Sequence, residues 1–439
     1  MVKRASIVYL PVEIRSREFD SKALLAAMLA KRGYSVLLGE QWTLYTNLAR
    51  MPAGAVLFKA FTNLHRVAMR EARDFHHAVY VLEEELLAHT VPKAIATFCS
   101  PEIFDLPDVI FSTSDFEKQV LVEGGGNARK IEVTGNPRVD ILKPEFHGFY
   151  KREIDIIHKH FGEFVLVNTN FAITNSVWVG EGDVKRIFIE AGFLRLDDPE
   201  SVKEWEDKNA FEEANKAAII AAIRDLATRR PSLKIVVRPH PSEGLFRWEG
   251  VFDAFANVSI AREGPHVPWT LAAKILLHTS CTTGFEAEVA GKMAMSLVAK
   301  PCWISDSFIS NRMNPVFADP TEMINAVEAY LDRGEVPGKA PSSLSRAEAA
   351  RYVWNVGNKS SAQRITSLLT KDLPSPRGRV PLPRLEKYER GPNQKKKMSI
   401  TLEECGDVVG RILGLIGKGK PIGVDQVGDS LFYITPAGP

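Results

Sequence analysis

Two short stretches with groups that suit phosphate binding each follow an apolar run. The first, "RPHPSEG" (238–244), comes directly after "LKIVV" (233–237), so Arg238 and His240 stand at the end of a predicted buried strand. A proline on each side of the histidine fixes the local backbone φ. An imidazole held rigidly beside an arginine suits hydrogen bonding to a phosphate oxygen, or stabilisation of a departing phosphate. The alternative is a tight turn in which His240 satisfies a backbone carbonyl.

The second stretch, "HTSCTTGFEAEVAGK" (278–292), also ends a predicted strand and opens a predicted helix. Hydroxyls and backbone amides at a helix N-terminus favour an anion, because the helix dipole places partial positive charge there. Glu286, one turn further on, is predicted to bind ribose hydroxyls. Plain helix capping is the alternative for the hydroxyls, and a capping box for Glu286. The predicted phosphate-binding residues are Thr279, Ser280, Thr282, Thr283 and Gly284.

A third stretch, "YVLEEELLAH" (80–89), places three consecutive carboxylates at the end of an apolar run. Neighbouring carboxylates raise each other's proton affinity, which suits a general base, and Glu84 and Glu85 are the predicted catalytic pair together with His240. A solvated helix start is the alternative. Charged residues in the loop after the first strand are predicted to contact substrate, with a solvated loop as the alternative. They are Glu13 and Arg15, with Glu18 and Asp20 nearby.

Short β-rich runs that alternate with amphipathic helical patterns must position these residues. The runs are continuously apolar, which predicts parallel sheets covered on both faces and thus an α/β fold of two Rossmann-like, doubly wound domains. Residues 1–150 form the first predicted domain and 163–340 the second, with a linker near 144–162. A helix is predicted over 21–34 with a serine cap. Two such domains create a cleft, and ligands bind at the carboxyl ends of the strands.

The C-terminal part of the chain has a different pattern. Residues 341–372 are predicted to form helices that pack back on the domains. Residues 373–400 are basic and rich in proline, which predicts an extended or disordered linker. Residues 401–439 return to apolar content and are predicted to form a small appendage with a helix and a hairpin.

The composition excludes several classes of protein. Fifty-six basic residues nearly balance 54 acidic ones among 439, which gives no argument for a nucleic-acid partner. The four cysteines form no CxxC pair, which favours a reducing compartment, the cytoplasm, without structural zinc. No apolar run approaches the roughly 18 residues of a transmembrane helix, so membrane association is expected to be peripheral at most. Dinucleotide, P-loop, zinc-protease and serine-elbow signatures are absent.

The chain resembles a family of bacterial surface-carbohydrate biosynthesis proteins and, more distantly, glycosyltransferases of the GT-B architecture that use CMP-activated sugars. The resemblance rests on "YLPVEIRSREFDSKALLAAMLAKRGYSVLLGEQ" (9–41), on "VTGNPRVDIL" (133–142) and on the His-Pro motif. It covers roughly residues 5 to 370. In sialyltransferases and Kdo transferases of this layout, the His-Pro histidine and a Ser/Thr-rich motif contact the CMP phosphate. An acidic pair followed by glycine supplies the base.

The resemblance implies a metal-independent transferase without a cofactor, with residues 1–150 as the acceptor domain and 163–340 as the nucleotide-sugar-binding domain. His240 and the 279–283 run would hold the phosphate of a CMP-linked nonulosonic acid or Kdo-type donor. Glu84 or a neighbouring carboxylate would deprotonate a hydroxyl of a saccharide or lipid-linked saccharide acceptor. The chain has Leu86 where the family's glycine would stand.

Three alternatives stay open at this point. One is a CDP-glycerol-type glycerophosphotransferase, whose family also carries His-Pro motifs and Ser/Thr-rich phosphate sites. Another is a UDP-sugar epimerase, of which "VTGNPRVD" is also typical. The third is a non-catalytic scaffold of envelope polysaccharide assembly, with the basic stretch near "NQKKKM" (393–398) docking on anionic lipid.

Overall fold

The structure, a computed structural model, describes residues 3–84, 87, 89–97, 101–177, 181–190, 192–336, 344–376, 378–417 and 421–436. Its backbone divides into two compact units. The first unit contains Met1–Leu87, Ile95–Phe149 and Ala350–Pro439; the second contains Ala88–Ala94 and Tyr150–Ala349. Over the described ranges, none of the helices combines the length and the apolar character that crossing a membrane requires.

The strands follow the apolar runs of the sequence. They are β1 Ile7–Val12, β2 Ser35–Glu40, β3 Ala55–Phe58, β4 Ala78–Leu82, β5 Val109–Ser112, β6 Ile131–Val133, β7 Phe164–Asn168, β8 Lys234–Arg238, β9 Val258–Ile260, β10 Ile275–His278, β11 Ala294–Leu297, β12 Val316–Phe317, β13 Ile422–Gly428 and β14 Leu431–Pro436. Most of the parallel strands are buried along their whole length, as continuous apolar runs predict.

The helices connect these strands and cover the sheets. They are α1 Arg15–Lys31, α2 Gln41–Asn47, α3 Asn63–Asp74, α4 Pro92–Thr97, α5 Asp115–Glu123, α6 Pro137–Asp140, α7 Pro144–His147, α8 Lys151–Phe161, α9 Glu181–Glu190, α10 Pro199–Arg229, α11 His266–Ala272, α12 Thr282–Val289, α13 Trp303–Ser307, α14 Ser310–Met313, α15 Pro320–Arg333, α16 Arg346–Ala349, α17 Ser361–Thr370, α18 Pro392–Lys397 and α19 Leu402–Leu415.

The first unit is built on a sheet with the strand order β13-β14-β2-β1-β3-β4-β5-β6. Strands β1 to β6 are parallel, and β14 joins the edge antiparallel to β2. The chain builds outward from β1 in both directions, with β2 on one side and β3 on the other. Such a reversal of strand order is a topological switch point, where open α/β sheets bind ligands at their carboxyl edge.

The second unit has a six-stranded parallel sheet with the order β12-β11-β10-β7-β8-β9. Its switch point lies between β7 and β10, since β8 and β9 extend the sheet to one side and β10 to β12 to the other. Two parallel, doubly wound sheets covered by helices confirm the predicted α/β class with two Rossmann-like domains.

Helix α1 begins earlier than the sequence predicts. Its first residue is Arg15, and Ile14 at the N-cap position makes no side-chain cap bond. The predicted serine cap is therefore wrong: Ser21 lies inside the helix, where its Oγ donates to the carbonyl of Glu18 at 2.9 Å. The charged residues of the first turns hid the helical pattern, because Glu18 is fully buried rather than exposed.

The C-terminal residues belong to the first unit. In the stretch predicted as a linker, residues 379–391 form no regular element and α18 follows them. This segment is bonded to the first unit: Val380 donates from its backbone to Ser35 Oγ, and Asn47 bonds the backbone of Glu386 in both directions. Helix α19 packs on α1. In the predicted appendage, β14 comes so close to β2 that a Cβ at Gly39 would lie 2.1 Å from the Ser430 carbonyl oxygen. Residues 378–436 thus complete the first sheet and its surroundings.

The stretch "VTGNPRVD" (133–140) fastens α17 to the first sheet. Asn136 and Asn355 exchange hydrogen bonds, with the Asn355 side chain donating to the Asn136 carbonyl at 2.9 Å and accepting from its amide at 3.1 Å. Asp140 accepts bonds from the Asn355 side chain and from the backbone amide of Ala362, both at 2.7 Å. In this chain, the motif holds an element distant in sequence.

Candidate functional site

The two phosphate-type stretches of the second unit flank the end of β7. In the register of the sheet, Asn168 at the end of β7 pairs with Arg238 of β8 on one side and with His278 of β10 on the other. Strands β8 and β10 are therefore not neighbours; they lie two strand spacings apart, about 10 Å. Because all three strands are parallel, their carboxyl ends meet at one edge, which includes the switch point between β7 and β10.

The His-Pro loop holds the His240 ring in one orientation. Its Nδ1 accepts a hydrogen bond from the backbone amide of Ser242 at 3.1 Å. A neutral ring that accepts at Nδ1 carries its proton on Nε2. The backbone amide of His240 donates to the carboxylate of Glu243 at 3.1 Å. These hydrogen bonds within the loop fix both the backbone and the tautomer of His240.

Glu243 organises the edge of the sheet, a role that the sequence analysis missed. Its buried carboxylate accepts hydrogen bonds from the hydroxyl of Thr169 at 2.6 Å and from the indole of Trp248 at 3.1 Å. It also accepts from the side chain of Asn175 and from the backbone amides of Phe171 and His240. Burial raises the pKa of Glu243, and these bonds oppose that rise. The sequence does contain a signal for this role: Glu243 belongs to the stretch "RPHPSEG" and follows its second proline by two residues.

Arg238, predicted to bind phosphate, is directed at the protein itself. Its guanidinium donates to the carbonyls of Glu263 at 3.0 Å and Gly264 at 3.1 Å, and lies 4.8 Å from the ring centroid of Trp269. Burial lowers the pKa of Arg238 to about 10. Arg238 thus holds the loop that leads into α11.

Arg262, which the sequence analysis did not select, clamps the His-Pro loop from the next strand. Its guanidinium donates to the Glu243 carbonyl at 2.6 Å and approaches the His240 carbonyl at 3.5 Å. Burial lowers the pKa of Arg262, although the carboxylates of Glu243 and Glu263 act in the opposite direction. The side chain is only partly buried, so a cation reaches the surface beside His240.

No hydroxyl caps the start of α12. Cys281 occupies the N-cap position without a standard side-chain cap bond, and its thiol is in hydrogen-bonding contact with the Thr283 backbone amide. Capping by one of the predicted hydroxyls therefore does not describe this helix. Gly284 is required by close packing, since a Cβ there would lie 2.2 Å from Nε2 of the buried His278 ring. The helix start keeps the donors that an anion would use.

Ser280 gives the turn before α12 its shape. Its φ of +58° lies in the left-handed region, which is strained for a serine. The conformation is held because Ser280 Oγ accepts from the Asn311 side chain at 2.8 Å and its carbonyl accepts from Asn170 at 3.4 Å. Of the predicted hydroxyls, that of Ser280 is therefore committed to the protein.

Two buried polar atoms near the switch point have no hydrogen-bond partner among the described residues. They are Oδ1 of Asn168, which is 5% exposed, and Oγ1 of Thr279, which is 1% exposed. Buried polar groups are nearly always paired, and an unpaired one costs about 1–3 kcal/mol. Their position at the ends of β7 and β10, where open α/β sheets bind ligands, makes them suitable hydrogen-bond partners for a ligand.

Glu286 lies close to a histidine of another helix and does not form a capping box. Its Oε2 lies 2.6 Å from Nε2 of His266, the first residue of α11, while the N3 position of α12 is Gly284. The capping-box alternative is therefore wrong. Glu286 is 1% exposed, and nothing in the sequence pattern pointed to His266 as its partner.

In the first unit, Glu84 is a buried ion-pair partner. Its Oε1 lies 3.0 Å from Nζ of Lys22, and each side chain is 1% exposed. The other carboxylate oxygen lies 3.5 Å from the Asn136 amide, and the Glu84 carbonyl accepts from Arg138 at 3.1 Å. Both carboxylate oxygens are thus directed at protein groups. Glu85, the other predicted base, lies outside the described residues.

Glu13 and Arg15, predicted to bind substrate, contact the C-terminal segment. Glu13 pairs with Lys59 and, at 2.8 Å, with Lys397 at the end of α18. Arg15 donates to the Ser399 carbonyl at 3.2 Å and to the Glu404 carboxylate at 2.8 Å. Both side chains stay partly exposed, but the structure directs them toward residues 397–404.

Glu18 completes this group of charges at the end of β1 and β3. It is fully buried and lies 3.3 Å from Nζ of Lys59 and 2.8 Å from the Arg17 guanidinium. Burial alone would raise the pKa of Glu18, but the Lys59 and Arg17 charges outweigh it and hold the pKa below the usual value. Asp20, also in this region, lies on the partly buried side of α1. Throughout the described part of the chain, no three His, Cys, Asp or Glu side chains are grouped as metal ligands.

Comparison with solved structures places both units in a known architecture. UDP-GlcNAc 2-epimerase from Neisseria meningitidis, bound to UDP-GlcNAc, is 14% identical with a TM-score of 0.52, over 83% of this chain and 99% of that one. The Methanocaldococcus jannaschii UDP-GlcNAc 2-epimerase, in complex with UDP-GlcNAc and UDP, is also 14% identical, with a TM-score of 0.51 and the same coverage. The wall teichoic acid polymerase TagF gives 12% identity and a TM-score of 0.48, over 83% and 88%.

These similarities establish the fold class: two Rossmann-like α/β domains, as in enzymes of the GT-B architecture. At this level of identity, the likeness concerns the fold. No protein-family model matches the chain, and no curated protein sequence matches it either.

Proposed function

We propose that this protein is a nucleotide-sugar-dependent enzyme of surface-carbohydrate biosynthesis that binds its nucleotide at the carboxyl edge of the second sheet. One observation carries the proposal. At the switch point between β7 and β10, the start of α12, which no hydroxyl caps, adjoins Asn168 and Thr279, whose buried polar atoms have no partner among the described residues. A nucleotide supplies both the anion for the helix start and the hydroxyls for the polar atoms.

In this arrangement, the phosphate is bound by the backbone amides at the start of α12 and by Thr282 and Thr283. His240, on the other side of β7, offers its Nε2 proton to the same ligand or to the bond that breaks. The Arg262 guanidinium adds positive charge beside it. Preformed donors of this kind stabilise charge that develops on a leaving phosphate, because they need no reorganisation.

The proposed reaction is transfer of the sugar to a saccharide hydroxyl, from a CMP-linked donor. Its support is the resemblance of residues 5 to 370 to surface-carbohydrate proteins with a His-Pro motif. His240 would act as the group that stabilises the departing phosphate.

Epimerisation of a UDP-sugar is the second candidate. It is supported by similarity to two UDP-GlcNAc 2-epimerases over 83% of this chain, with TM-scores above 0.5. A 2-epimerase must break the C2–H bond of the sugar. A transferase leaves that bond intact and instead breaks the bond between the sugar and the phosphate.

A thermal-shift screen followed by calorimetry tests the nucleotide site. A ligand at a hundred times its Kd stabilises the folded state by about 2.7 kcal/mol, so CMP or UDP should raise the melting temperature by several degrees. His240→Ala should weaken binding about tenfold or more, since a hydrogen bond to a charged group contributes about 1.5–3 kcal/mol. His147→Ala, in the first unit, is the matched control and should bind as wild type does.

Absence of any shift with both nucleotides would overturn the nucleotide proposal. If binding is found, NMR of UDP-GlcNAc incubated with the protein in D₂O separates the two reactions. Exchange of the C2 proton for deuterium supports epimerisation. Release of CMP from a CMP-sugar that depends on an added saccharide supports transfer.

A further inference from the structure

A cavity of about 700 Å³ opens at the edge of the first sheet opposite its carboxyl edge. Its lining residues lie just before β1, β4 and β5 or directly after α17, so the amino ends of parallel strands surround it. The volume falls within the range of about 300–1,000 Å³ that small-molecule sites have. All of the lining residues belong to the first unit. The charged ones are Lys3, Arg4, Arg73, Asp108, Lys371 and Asp372.

A strained turn orients Arg4 at the cavity. His76 has a φ of +64°, in the left-handed region that is strained for a residue with a side chain. In this conformation its carbonyl accepts a hydrogen bond from Nε of Arg4 at 3.1 Å. The next residue, His77, is buried, and its ring bonds the Gly54 amide at 3.1 Å and the Leu48 carbonyl at 3.0 Å. The turn is thus anchored, while the two terminal nitrogens of the Arg4 guanidinium make no hydrogen bond among the described residues.

The positive charges that line the cavity outnumber its negative charges. Four cations stand against two carboxylates, although the whole chain carries only +2. The protein itself satisfies Asp108, since one carboxylate oxygen accepts from a backbone amide of β4 at 2.9 Å and the other lies 3.5 Å from Arg73. Among the described residues, neither Lys3 nor Lys371 forms an ion pair with a carboxylate. These two ammonium groups and the Arg4 guanidinium therefore remain to bind an anion.

Charged groups from three segments of the chain converge beside the phenol of Tyr80. Burial raises the pKa of Tyr80 to about 12; Asp372 and Asp108 add to that rise, and Arg4 opposes it. Charges act on one phenol in this way only when they lie close to it, because the interaction weakens with distance. The segment after α17 and the residues before β1 and β5 therefore reach the same part of the cavity.

We propose that this cavity binds a phosphate monoester that carries hydroxyl groups, a class that includes sugar phosphates. Lys3, Arg4 and Lys371 bind the phosphate, since ammonium and guanidinium groups form charge-assisted hydrogen bonds with phosphate oxygens. The carboxylate of Asp372, next to Lys371 in the sequence, accepts from a hydroxyl of the ligand. A concave site of this volume encloses a small molecule, whereas a lipid surface or a nucleic acid needs an extended basic face. The site belongs to the first unit and does not depend on the nucleotide site proposed in the second.

Calorimetry on the full chain tests the site, with glucose 6-phosphate, ribose 5-phosphate, inorganic phosphate and glucose as probes. Wild type should bind one of the sugar phosphates about tenfold more tightly than inorganic phosphate, the value of one hydrogen bond to a charged group. Glucose should not bind. The double substitution of Arg4→Gln with Lys371→Gln should weaken binding of the sugar phosphate about tenfold or more. His240→Ala, in the second unit, should bind it as wild type does.

The double substitution of Lys118→Gln with Arg129→Gln is the matched control. It also removes one lysine and one arginine from the first unit, but neither side chain lines the cavity. The control should keep wild-type affinity. An equal loss of affinity in the two double variants would show an effect of net charge alone and overturn the site.

Other outcomes would also contradict the proposal. They are failure of both sugar phosphates to bind, equally tight binding of inorganic phosphate, and loss of sugar-phosphate binding in His240→Ala. Sedimentation with phosphatidylserine vesicles that the double substitution of Arg4 and Lys371 abolishes would assign the cations to a membrane instead. If that variant does not fold, Lys3→Gln with Lys371→Gln replaces it, since both side chains are exposed, and must lower the same affinity.

Discussion

The carboxyl edges of the two sheets differ in how their polar groups are satisfied. In the first unit, the residues after β1, β3 and β4 pair with one another: Glu84 with Lys22, and Lys59 with Glu13 and Glu18. In the second unit, the residues after β7 and β10 include buried polar atoms at Asn168 and Thr279 that lack a partner among the described residues. The same type of fold thus carries one edge built from ion-paired side chains and one edge with neutral buried polar atoms that a ligand can reach with hydrogen bonds.

The difference indicates what each edge is built to do. A buried charge without a partner is strongly destabilising, so the paired charges of the first edge are needed for that unit to fold. Neutral polar atoms cost less to leave unpaired, and a ligand can satisfy them. The second edge is therefore the better candidate for recognising a ligand, and substitutions at the two edges should have different consequences.

The largest effect is expected from Glu84→Gln in the first unit. Removal of one partner leaves Lys22 as an uncompensated charge at 1% exposure, and the free energy of unfolding should fall by about 3–5 kcal/mol. Urea unfolding followed by circular dichroism measures the change. The double substitution of Lys22→Met with Glu84→Met should recover most of the stability, because it removes both charges.

The same pair of variants tests whether Glu84 is the predicted base. If the double variant regains stability and also activity, Glu84 has a structural role alone. If it regains stability and stays inactive, the base assignment is supported. A Glu84→Gln protein as stable as wild type would contradict the comparison between the two edges.

A smaller, pH-dependent effect is expected from His278 in the second unit. Burial lowers the pKa of His278 to about 4, below its usual value near 6.5. The unfolded chain therefore binds a proton in this range that the folded chain does not, so stability is present above pH 6.5 and is lost as the pH falls toward 4. At 1.36 kcal/mol per pKa unit, the loss amounts to about 3 kcal/mol.

Denaturant unfolding at several pH values measures this loss, and His278→Gln should flatten the profile between pH 6.5 and 4. His89→Gln is the matched control. Burial also lowers the pKa of His89 to about 4, and His89 bonds the Ser307 hydroxyl in the same unit without lying at the end of a central strand. Both variants should flatten the profile, but only His278→Gln should also weaken nucleotide binding. Equal nucleotide affinity in the two variants would show that His278 does not contribute to the nucleotide site.

The smallest effect on stability, and the sharpest contrast between the edges, is expected from replacing a buried hydroxyl. Thr279→Val removes an unpaired Oγ1, so the free energy of unfolding should stay within about 0.5 kcal/mol or increase, while nucleotide affinity falls. Thr43→Val in the first unit removes a hydroxyl that donates to Glu40 at 2.8 Å and should cost about 1 kcal/mol. Thermal unfolding and calorimetry give both quantities. Destabilisation by Thr279→Val equal to that by Thr43→Val would show that the hydroxyl is satisfied in solution.

The strands and the two sheets were predictable because their apolar runs are continuous; the run "LKIVV" (233–237), for example, lies within β8 except for its first residue. The start of α1 was not predictable from the sequence, because charged residues of its first turns are buried against partners distant in sequence, such as Lys59. Sequence also located the loops after β8 and β10. It did not predict that Arg238 would be directed at backbone carbonyls, because the receiving loop follows another strand.

Partnerships across the fold were the least accessible to sequence. Lys22 lies in α1 and Glu84 follows β4, and the run of carboxylates in the sequence gives no sign that one of them pairs with a buried lysine. His266 likewise has no neighbour in sequence that marks it as the partner of Glu286. The role of a titratable group depends on its partner. The order of the strands in the sheet determines that partner, and local sequence patterns do not predict the order.

The antiparallel pairing of β14 with β2 has a consequence for how the chain acquires its structure. Strand β2 leaves the ribosome long before β14, because the whole second unit lies between them in the sequence. Until then, β2 presents an unpaired strand edge, which is prone to pair with other chains. Domains usually fold in order of synthesis, but the first unit must wait for residues made after the second unit is complete. We expect the second unit to fold first, and chains truncated before β13 to aggregate through the open edge of β2.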